Sequence, residues 1–589
     1  MSAEQTSVEE QELTTTNILR MGLDELFPLV IGSIVSILSI WPILRTNYTT
    51  LTKVLLILLP VILSYIYLKY QFAPTPKKAY FLSILYDKNK SIETGFHHRR
   101  TNHWPFVGSA VIRINNIDHI FLGGGKGQED ALLFYNNEKG QFRNIIENTG
   151  LSDKNNATFS AVALDMDGDG RQDLIIGRSN GVFLYKQLDN MIFRKTSIVN
   201  KQDQVPLALS IADYNRDGRP DIYISYFTPA SKYRGTVFND PTHGRKNMLL
   251  QNITVSSNQI QFKDVTNETG ASGMPYNTFT AAFIDLNNDK WPDLVLSHDS
   301  GEVEVLKNQE GQFKSIFPYS FKGNFMGLAS GDVDSNGDQD LFLTNLGTDT
   351  PKNPMSLGDI QPNQKQTFQH VLLRNDGNFK FVETSKASGI SGEGFGWGAL
   401  FSDINLDGKL DLLFAENTKL YPSQWVFPKP GHYYASHQRP DHSTSESSVK
   451  NSSTRFQRKF TYKNPYFGHT PLLADINQDG IKDVIWVNME GPAIAYLNKN
   501  KLKNNYLVVV LPETGEFINA TVVLETSQGQ QTRQVIQGGL GFGSDTSNII
   551  NFGLTKDDRP TKLTINTIYG KRYCVKDPKI NSVVKLITK

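Results

Sequence analysis

Hydrophobic and polar positions divide this 589-residue chain into two regimes. Leu26 to Leu44 (LFPLVIGSIVSILSIWPIL) carries no charge and is long enough to cross a bilayer as a helix. A second apolar run, Val54 to Leu68 (VLLILLPVILSYIYL), follows the polar link RTNYTT. It reaches spanning length only with Leu51 to Lys53 included and Lys53 snorkelling, and Pro60 interrupts its middle. The first run is too long, and its leader too acidic, for a cleaved signal peptide. The pattern predicts an acidic tail over 1–25, one or two transmembrane helices over 26–70, arranged as a hairpin, and a linker over 71–94.

Beyond the linker the apolar runs shorten to strand length. Six times a small-residue and apolar stretch (FSAVAL, LALSIA, FTAAFI, FMGLASG, FGWGALFS, FGHTPLLA) leads into an acidic phrase. Each phrase leads into a β-rich run (LIIG, IYISYF, LVLS, LFLT, LLFA, VIWV). Each phrase therefore reads as a tight connection between two inner strands. Hairpin signals follow at 307–315 (KNQEGQFKS) and 374–383 (RNDGNFKFVE). A closing strand signature recurs as FRNIIENTGL at 142–151, FKDVTNETGA at 262–271 and FVETSKASGI at 381–390.

The phrases start at Asp165, Asp213, Asp285, Asp332, Asp403 and Asp475, at intervals of 48, 72, 47, 71 and 72 residues. A unit near 48 residues, with insertions in the longer intervals, falls in the propeller range of four strands per blade. Residues 104–145 repeat the same strand and hairpin grammar, with INNID replacing the acidic phrase, which predicts a seventh, metal-free first blade. The expected fold is all-β: a seven-bladed β-propeller with calcium loops over 95–502 and a small C-terminal β domain over 503–589, preceded by the transmembrane helices. The first and last blades must meet to close the ring.

The phrases themselves carry the chemistry. DMDGDGRQD, DYNRDGRPD, DLNNDKWPD, DVDSNGDQD, DINLDGKLD and DINQDGIKD place Asp or Asn at positions one, three, five and nine. Alternate residues point oxygens inward, and a Gly at position six allows the turn around a hard cation. The first loop offers Asp165, Asp167, Asp169 and Asp173, with the carbonyl of Arg171; the second Asp213, Asn215, Asp217 and Asp221, with Arg219; the third Asp285, Asn287, Asp289 and Asp293. The fourth offers Asp332, Asp334, Asn336 and Asp340, with Asp338; the fifth Asp403, Asn405, Asp407 and Asp411, with Lys409; the sixth Asp475, Asn477, Asp479 and Asp483, with Ile481.

Up to six Ca²⁺ ions are expected, the third site being the weakest because Lys290 stands where the others have Gly. Magnesium suits such loops less, since it demands a tighter octahedron. An EF-hand needs a bidentate Glu at position twelve, and here that position holds Ile176, Ile224, Leu296, Leu343, Phe414 and Trp486. Self-capped turns without metal are the plain alternative, disfavoured by the repulsion among converging carboxylates.

Composition removes several classes. The formal net charge is +1, and basic runs such as His97 to Arg100 are too short to track phosphates, so no nucleic-acid partner is expected. The single Cys574 excludes an intrachain disulfide and a Cys-based zinc site, and reads as a buried small residue. His97, His98 and His103, and the insertion carrying His432, His437 and His442, lack the i, i+4 spacing of a zinc enzyme. Sequons such as Asn47, Asn252 and Asn451 match what an Asn- and Thr-rich chain gives by accident.

The acidic phrases, with Phe395-Gly396 and Phe467-Gly468 before two of them, resemble the FG-GAP/VCBS repeats of integrin-α-type propellers. FKDVTNETGA narrows the resemblance to the cartilage-acidic-protein and UnbV-like family. NNYLVVVL at 504–511, GGLGFGSD at 538–545 and NFGL at 551–554 resemble the ASPIC/UnbV module that closes such proteins. Where that module often has a Trp-Pro-Ser-Gly turn, this chain has Ile568-Tyr569-Gly570. The resemblance implies the propeller and its calcium, and leaves activity undefined.

The functional reading is a membrane-anchored, calcium-binding propeller, not an enzyme, that recognises a protein or glycan partner through inserted loops around 225–275, 346–372 and 418–466, with residues 26–68 holding it to the membrane. Two alternatives stand beside it. One is an enzyme, polysaccharide-processing or metal-dependent, using the propeller channel or the His432–His442 insertion. The other is a subunit of a membrane assembly. Basic residues around the apolar runs favour cytoplasmic ends, whereas weak, open calcium sites suit an extracytoplasmic body at the cell surface or in the periplasm, and the latter placement is adopted.

Overall fold

The computed structural model describes residues 91–98 and 104–587, except 236, 241, 256–259, 348–358, 360, 362, 392–393, 417–430, 439–453, 462–463, 465, 500–503 and 513. The apolar runs assigned to the membrane lie outside the described residues. Among the described residues no helix is long and apolar enough to cross a membrane.

Among the described residues nearly every regular element is a strand, and the strands form nine sheets. Seven of them follow one another along 109–496 as antiparallel meanders. The first holds Ser109–Ile114, Ile117–Leu122, Ala131–Asn136 and Gln141–Asn144. Its opening hairpin turns on Asn115 and Asn116, both with positive φ (52° and 62°), as a two-residue turn of that hand requires. This is the INNID segment, and it is a plain hairpin.

In the other six sheets the acidic phrase joins the first two strands. The ninth-position Asp always opens the second strand and pairs with the last residue of the first. The pairs are Leu164 with Asp173, Ala212 with Asp221, Ile284 with Asp293, Gly331 with Asp340, Ser402 with Asp411 and Ala474 with Asp483. Both strands flanking each phrase are strongly buried because each sheet is covered on its two faces by its neighbours. The hairpins expected at 307–315 and 374–383 are present. The closing signature is only partly a strand: in FKDVTNETGA, Phe262–Asp264 is extended, and Thr266–Thr269 forms a helical turn ended by Gly270.

The packing between sheets returns to its start, although no sheet closes on itself. Apolar clusters join the first sheet to the second and the second, third and fourth to one another. Others join the fourth to the fifth, the fifth to the sixth and the sixth to the seventh. A last cluster joins the seventh to the first. The closing strand comes from upstream: Ile92–His98 pairs antiparallel with Gly491–Tyr496 as the outer strand of the seventh sheet.

Residues 505–587 form the remaining two sheets around their own core of Leu507, Val522, Phe552 and Leu563. The Gly-rich segment 537–547 leaves this module and enters the middle of the seven sheets. Gln537 and Gly538 pair with Ile211 and Ser210; Gly541 bridges Leu328; Ser544 and Asp545 run parallel to Ser109 and Ala110; Ser547 donates to the carbonyl of Leu473. Gly539 has φ 78°, and a Cβ there would lie 1.9 Å from the carbonyl oxygen of Ala281. Only Gly lets the backbone approach so closely. Phe542 is fully buried among Phe106, Phe279, Trp397 and His469, with ring centroids 5.3, 5.2, 5.4 and 4.7 Å away.

Candidate metal centres

Each acidic loop is a small cage of backbone donors. The first carboxylate accepts from the backbone N–H of position five through Oδ1 and of position six through Oδ2 in five loops. Examples are Asp217 and Gly218 on Asp213 (2.9 and 2.6 Å) and Asp479 and Gly480 on Asp475 (2.8 and 2.9 Å). Position seven is fixed by its N–H to the fifth-position oxygen. Arg171 meets Asp169, Arg219 Asp217, Lys409 Asp407 and Ile481 Asp479 at 3.0 Å, Trp291 meets Asp289 at 2.8 Å, and Asp338 meets Asn336 at 2.7 Å.

The ninth-position Asp does more than the sequence reading gave it. One oxygen accepts from the N–H of position two, as Asp173 from Met166, Asp340 from Val333 and Asp483 from Ile476. The other accepts from a backbone N–H farther along the chain: Asp173 from Gln187, Asp221 from Asn252, Asp293 from Asn308 on its own long strand Asp293–Gln309, Asp340 from Asn375, Asp411 from Ser436 and Asp483 from Asn498. It is a strut of the sheet as well as a possible ligand.

The Asn partners are functional residues that sequence reasoning passed over. Asn308, Asn375 and Asn498 also donate their side-chain amides to the carbonyls of Tyr214, Leu286 and Ile404 in the preceding metal loop. They staple neighbouring sheets at the loops. Their signal is present: LLQN, VLKN, LLRN and AYLN recur after the acidic phrases with apolar-apolar-x-Asn or apolar-x-apolar-Asn spacing.

The donor sets fit a hard cation. Asp165, Asp167 and Asp169, and Asp332, Asp334 and Asp340, each bring three carboxylate oxygens within 4.8 Å of one another. In the second, third, fifth and sixth loops the third-position donor is an amide, Asn215, Asn287, Asn405 or Asn477, next to the fifth-position Asp. Oδ2 of Asp221 and Oδ1 of Asp332 are buried without a hydrogen-bond partner, which is costly for an anion unless a cation joins it.

Burial, then the like charges around it, raises these carboxylates above their ordinary range. Asp285, Asp332 and Asp475 are pushed up to about 6, Asp173 to about 7 and Asp293 to about 8. Asp403 is raised to about 7 by burial and by Asp407. Burial likewise raises Asp221, Asp340, Asp411 and Asp483 well above the usual carboxylate range.

The third loop has the backbone expected of it, and the first loop differs from expectation. Lys290 adopts φ 69°, the left-handed backbone its position demands. In the first loop Lys186 pairs with Asp167 and lies 3.6 Å from Asp169, whose other partner is Arg171 at 2.6 Å. A cation entering that loop meets competing charge, which the sequence reading had assigned to the third loop alone. Position four is also left-handed in every loop: Gly168, Arg216, Asn288, Ser335, Leu406 and Gln478.

Among the described residues, His97, His98, His432 and His437 do not come together as a site. His98 sits on Ile92–His98, buried, 2.5 Å from the carbonyl oxygen of Met489, and His97 is exposed beside it. His432 and His437 belong to a strand, His432–Gln438, where the sequence reading placed an inserted loop. His432 is buried 2.5 Å from Glu416, and His437 is exposed. His103 and His442 lie outside the described residues. The channel invoked for an enzyme is filled by Phe542 and its aromatic neighbours. Cys574, expected to be buried, is exposed, and Asn252, read as a sequon, is buried with its amide on the carbonyl of Pro220.

The closing module lies against the acidic loops. Tyr569 binds Asp213, Gln534 accepts from the N–H of Asp285, the N–H of Gly553 binds Asp403, and Asn551 donates to the carbonyl of Gly480. Arg533 is half-buried there; desolvation lowers its pKa, and the charges of Asp403 and then Asp332 oppose that shift.

Known proteins share both parts. Residues 165–224 and 253–343 match the FG-GAP-like repeat, and residues 513–589 match the ASPIC and UnbV family. Cartilage acidic protein 1 of Xenopus tropicalis is 23% identical over 534 residues, covering 81% of this chain and 73% of that protein. Its Mus musculus counterpart is 20% identical over 500 residues, covering 73% of each. Among solved structures, an Agrocybe aegerita lectin that recognises non-reducing terminal N-acetylglucosamine aligns at TM-score 0.37 and 14% identity, over 67% of this chain and 94% of its own. The Trypanosoma rangeli sialidase aligns at TM-score 0.32 and 8% identity, over 70% of this chain and 60% of its own. The matches to the repeats and to the closing module, with the two cartilage acidic protein relatives, support assignment of this chain to the FG-GAP/UnbV family.

Proposed function

We propose that this chain is a membrane-anchored, calcium-binding β-propeller acting as a non-catalytic recognition module for a protein or glycan partner. The seven sheets of 92–496 are its blades, with the upstream strand Ile92–His98 as the closure. The six acidic loops hold Ca²⁺, which neutralises carboxylates that burial would otherwise leave protonated. The apolar runs within 26–68 form the anchor, and the body is placed outside the cytoplasm, where calcium is high enough to fill open loops of this kind.

The observation that carries the reading is the division of the molecule's two ends. The end bearing the acidic loops is taken by the closing module, through Tyr569, Gln534, Gly553 and Asn551. The axis is sealed by Phe542. What remains for a partner is the opposite end, where the insertions meet: Asp359 accepts from the N–H groups of Phe238 and Asn239, and Gln364 bonds Asn239. Inserted loops on one rim of a rigid ring are a natural recognition surface.

The test is capture by the full chain in detergent, from a glycan array and from solubilised surface proteins, in calcium and in EDTA, with calcium stoichiometry measured by calorimetry. Calcium-dependent capture with several ions bound supports the proposal. Absence of calcium binding, or no capture of either class, overturns it. Protease accessibility in intact cells reports the side of the membrane.

A further inference from the structure

Chain direction decides where the loops of a meander emerge. Links from first to second strand leave one end of each sheet, and links from second to third strand, or from the fourth strand to the next sheet, leave the other. Residues 201–204 and 227–247 are of the second kind, so they lie at the end opposite the acidic loops and the closing module. Two cavities open between them, of about 500 and 300 Å³, and both are lined by Gln202, Asp203 and Gln204.

We infer that these adjoining cavities bind an acidic oligosaccharide. The inference rests on the recognition reading above and names its ligand class and site. Charge is the first argument. Lys201, Lys232, Arg245 and Lys246 line the larger cavity and Lys126 the smaller, against the carboxylates of Asp203 and Asp264. A chain of net charge +1 thus concentrates positive charge at one place. Lys232 pairs with Asp203 at 2.8 Å, the contact between the two cavities. Lys126, Lys201, Arg245 and Lys246 make no ion pair among the described residues and are available to an anion. Arg245 is half-buried, which strengthens its pairing with a ligand charge relative to open solvent.

The second argument is the mixture of donors and acceptors. Asn155 lines the smaller cavity and Asn267 the larger, and Asp264 spends one oxygen, Oδ1, on Thr266. Hydroxyl groups satisfy both kinds of partner, and an acidic saccharide carries many of them beside its anions, whereas a poly-acidic peptide carries none. The third argument is Trp104, half-buried at the smaller cavity. Its indole N–H donates to the carbonyl of Thr228 at 2.8 Å, and its ring stacks on Phe106 and meets Phe227 and Tyr233 edge-on. A ring held this firmly is a preorganised platform for the apolar face of a pyranose.

The test uses the full chain in detergent with calcium present, titrated with a sulfated heparin hexasaccharide, a hyaluronan hexasaccharide carrying only carboxylates, a neutral chitin hexasaccharide and a poly-glutamate peptide of matched charge. At least one acidic saccharide is expected to bind, with the sulfated and carboxylate arms showing which anion is preferred. Affinity should fall with salt. Arg245→Glu/Lys246→Glu should weaken binding by about a hundredfold, roughly tenfold per lost charged contact. Lys201→Glu, on a separate loop, should weaken it by about tenfold. Equal binding by both variants and wild type, or equal binding of poly-glutamate, overturns the site. No binding of either acidic saccharide overturns it as well, and the recognition reading then survives only if surface-protein capture persists.

Discussion

The hydroxyl of Tyr569 donates to Oδ2 of Asp213 at 2.5 Å, so the closing module reaches into the second acidic loop and binds its first carboxylate. Tyr569 stands where the resemblance leads one to expect Trp-Pro-Ser-Gly, so the departure from that turn has a use in this chain. Burial, then the Asp213 charge, raises the Tyr569 hydroxyl well above its ordinary range, which keeps it a donor at any physiological pH. Tyr569→Phe is expected to lower stability by about 1–2 kcal/mol, the value of a hydrogen bond to a charged acceptor. Thermal unfolding of both proteins checks this, and an unchanged midpoint would remove the contact from the account.

Metal and module should be coupled. Gly553 donates to Asp403 at 2.9 Å and Asn551 to the carbonyl of Gly480 at 2.8 Å, so the module rests on atoms that a bound cation would order. Calcium at tenfold its Kd adds about 1.4 kcal/mol for each occupied loop. Chelation is expected to lower the unfolding temperature of the module and the sheets together, and to open both to protease. A module that melts at the same temperature in calcium and in EDTA would show the two to be independent.

Phe542 packs against four rings from distant segments, Phe106, Phe279, Trp397 and His469. Phe542→Ala removes a fully buried ring from a tightly packed axis, and is expected to cost about 3–5 kcal/mol. Phe542→Leu, which keeps more of the volume, should cost less. Urea unfolding measures both, and a loss below 1 kcal/mol for the alanine variant would mean the axis repacks without the plug.

Much of this was legible in the chain because it repeats. The six acidic phrases announce their own strands, and a ninth-position Asp opening each second strand follows from spacing alone. INNID reads as a hairpin because two Asn tolerate positive φ. What stayed hidden depends on contacts between segments distant in sequence. GGLGFGSD was recognised as part of a closing module, but nothing local says that 538–545 threads the ring, since that follows from Gly539 passing against Ala281 and Phe542 against Phe106. His432 and His437 were placed in a loop because the Ser-rich stretch after them masks a strand whose burial comes from neighbouring sheets. Lys186, nineteen residues from Asp167, enters the first loop only through the pairing of two hairpins.

Lys290 holds a left-handed backbone at φ 69° while its N–H binds Asp285 at 2.9 Å. Lys290→Gly relieves that conformation and removes a positive charge from the third loop. Stability should rise by about 1 kcal/mol, and calcium affinity at that loop should rise with it. Calorimetric titration of the variant against wild type checks the affinity. An unchanged isotherm and an unchanged unfolding midpoint would show that neither strain nor charge limits this site.

His469 gives the acid limb of stability its sign. It is fully buried against Phe542, and neither ring nitrogen has a hydrogen-bond partner. Burial, then the proximity of His98, lowers its pKa to about 3, and burial lowers that of His370 to about 4. In the unfolded chain both titrate near 6.5. Between about pH 6.5 and those values the unfolded chain binds protons that the folded one refuses, so stability present at neutral pH is lost as pH falls, by about 1.4 kcal/mol per pH unit for each histidine. The raised loop carboxylates act in the opposite direction when free of metal, so saturating calcium is needed to hold them ionised. Under that condition His469→Leu should flatten the fall in unfolding free energy between pH 6.5 and 5 by about one proton's worth, read from urea unfolding at several pH values. A slope equal to that of wild type would place the acid sensitivity elsewhere.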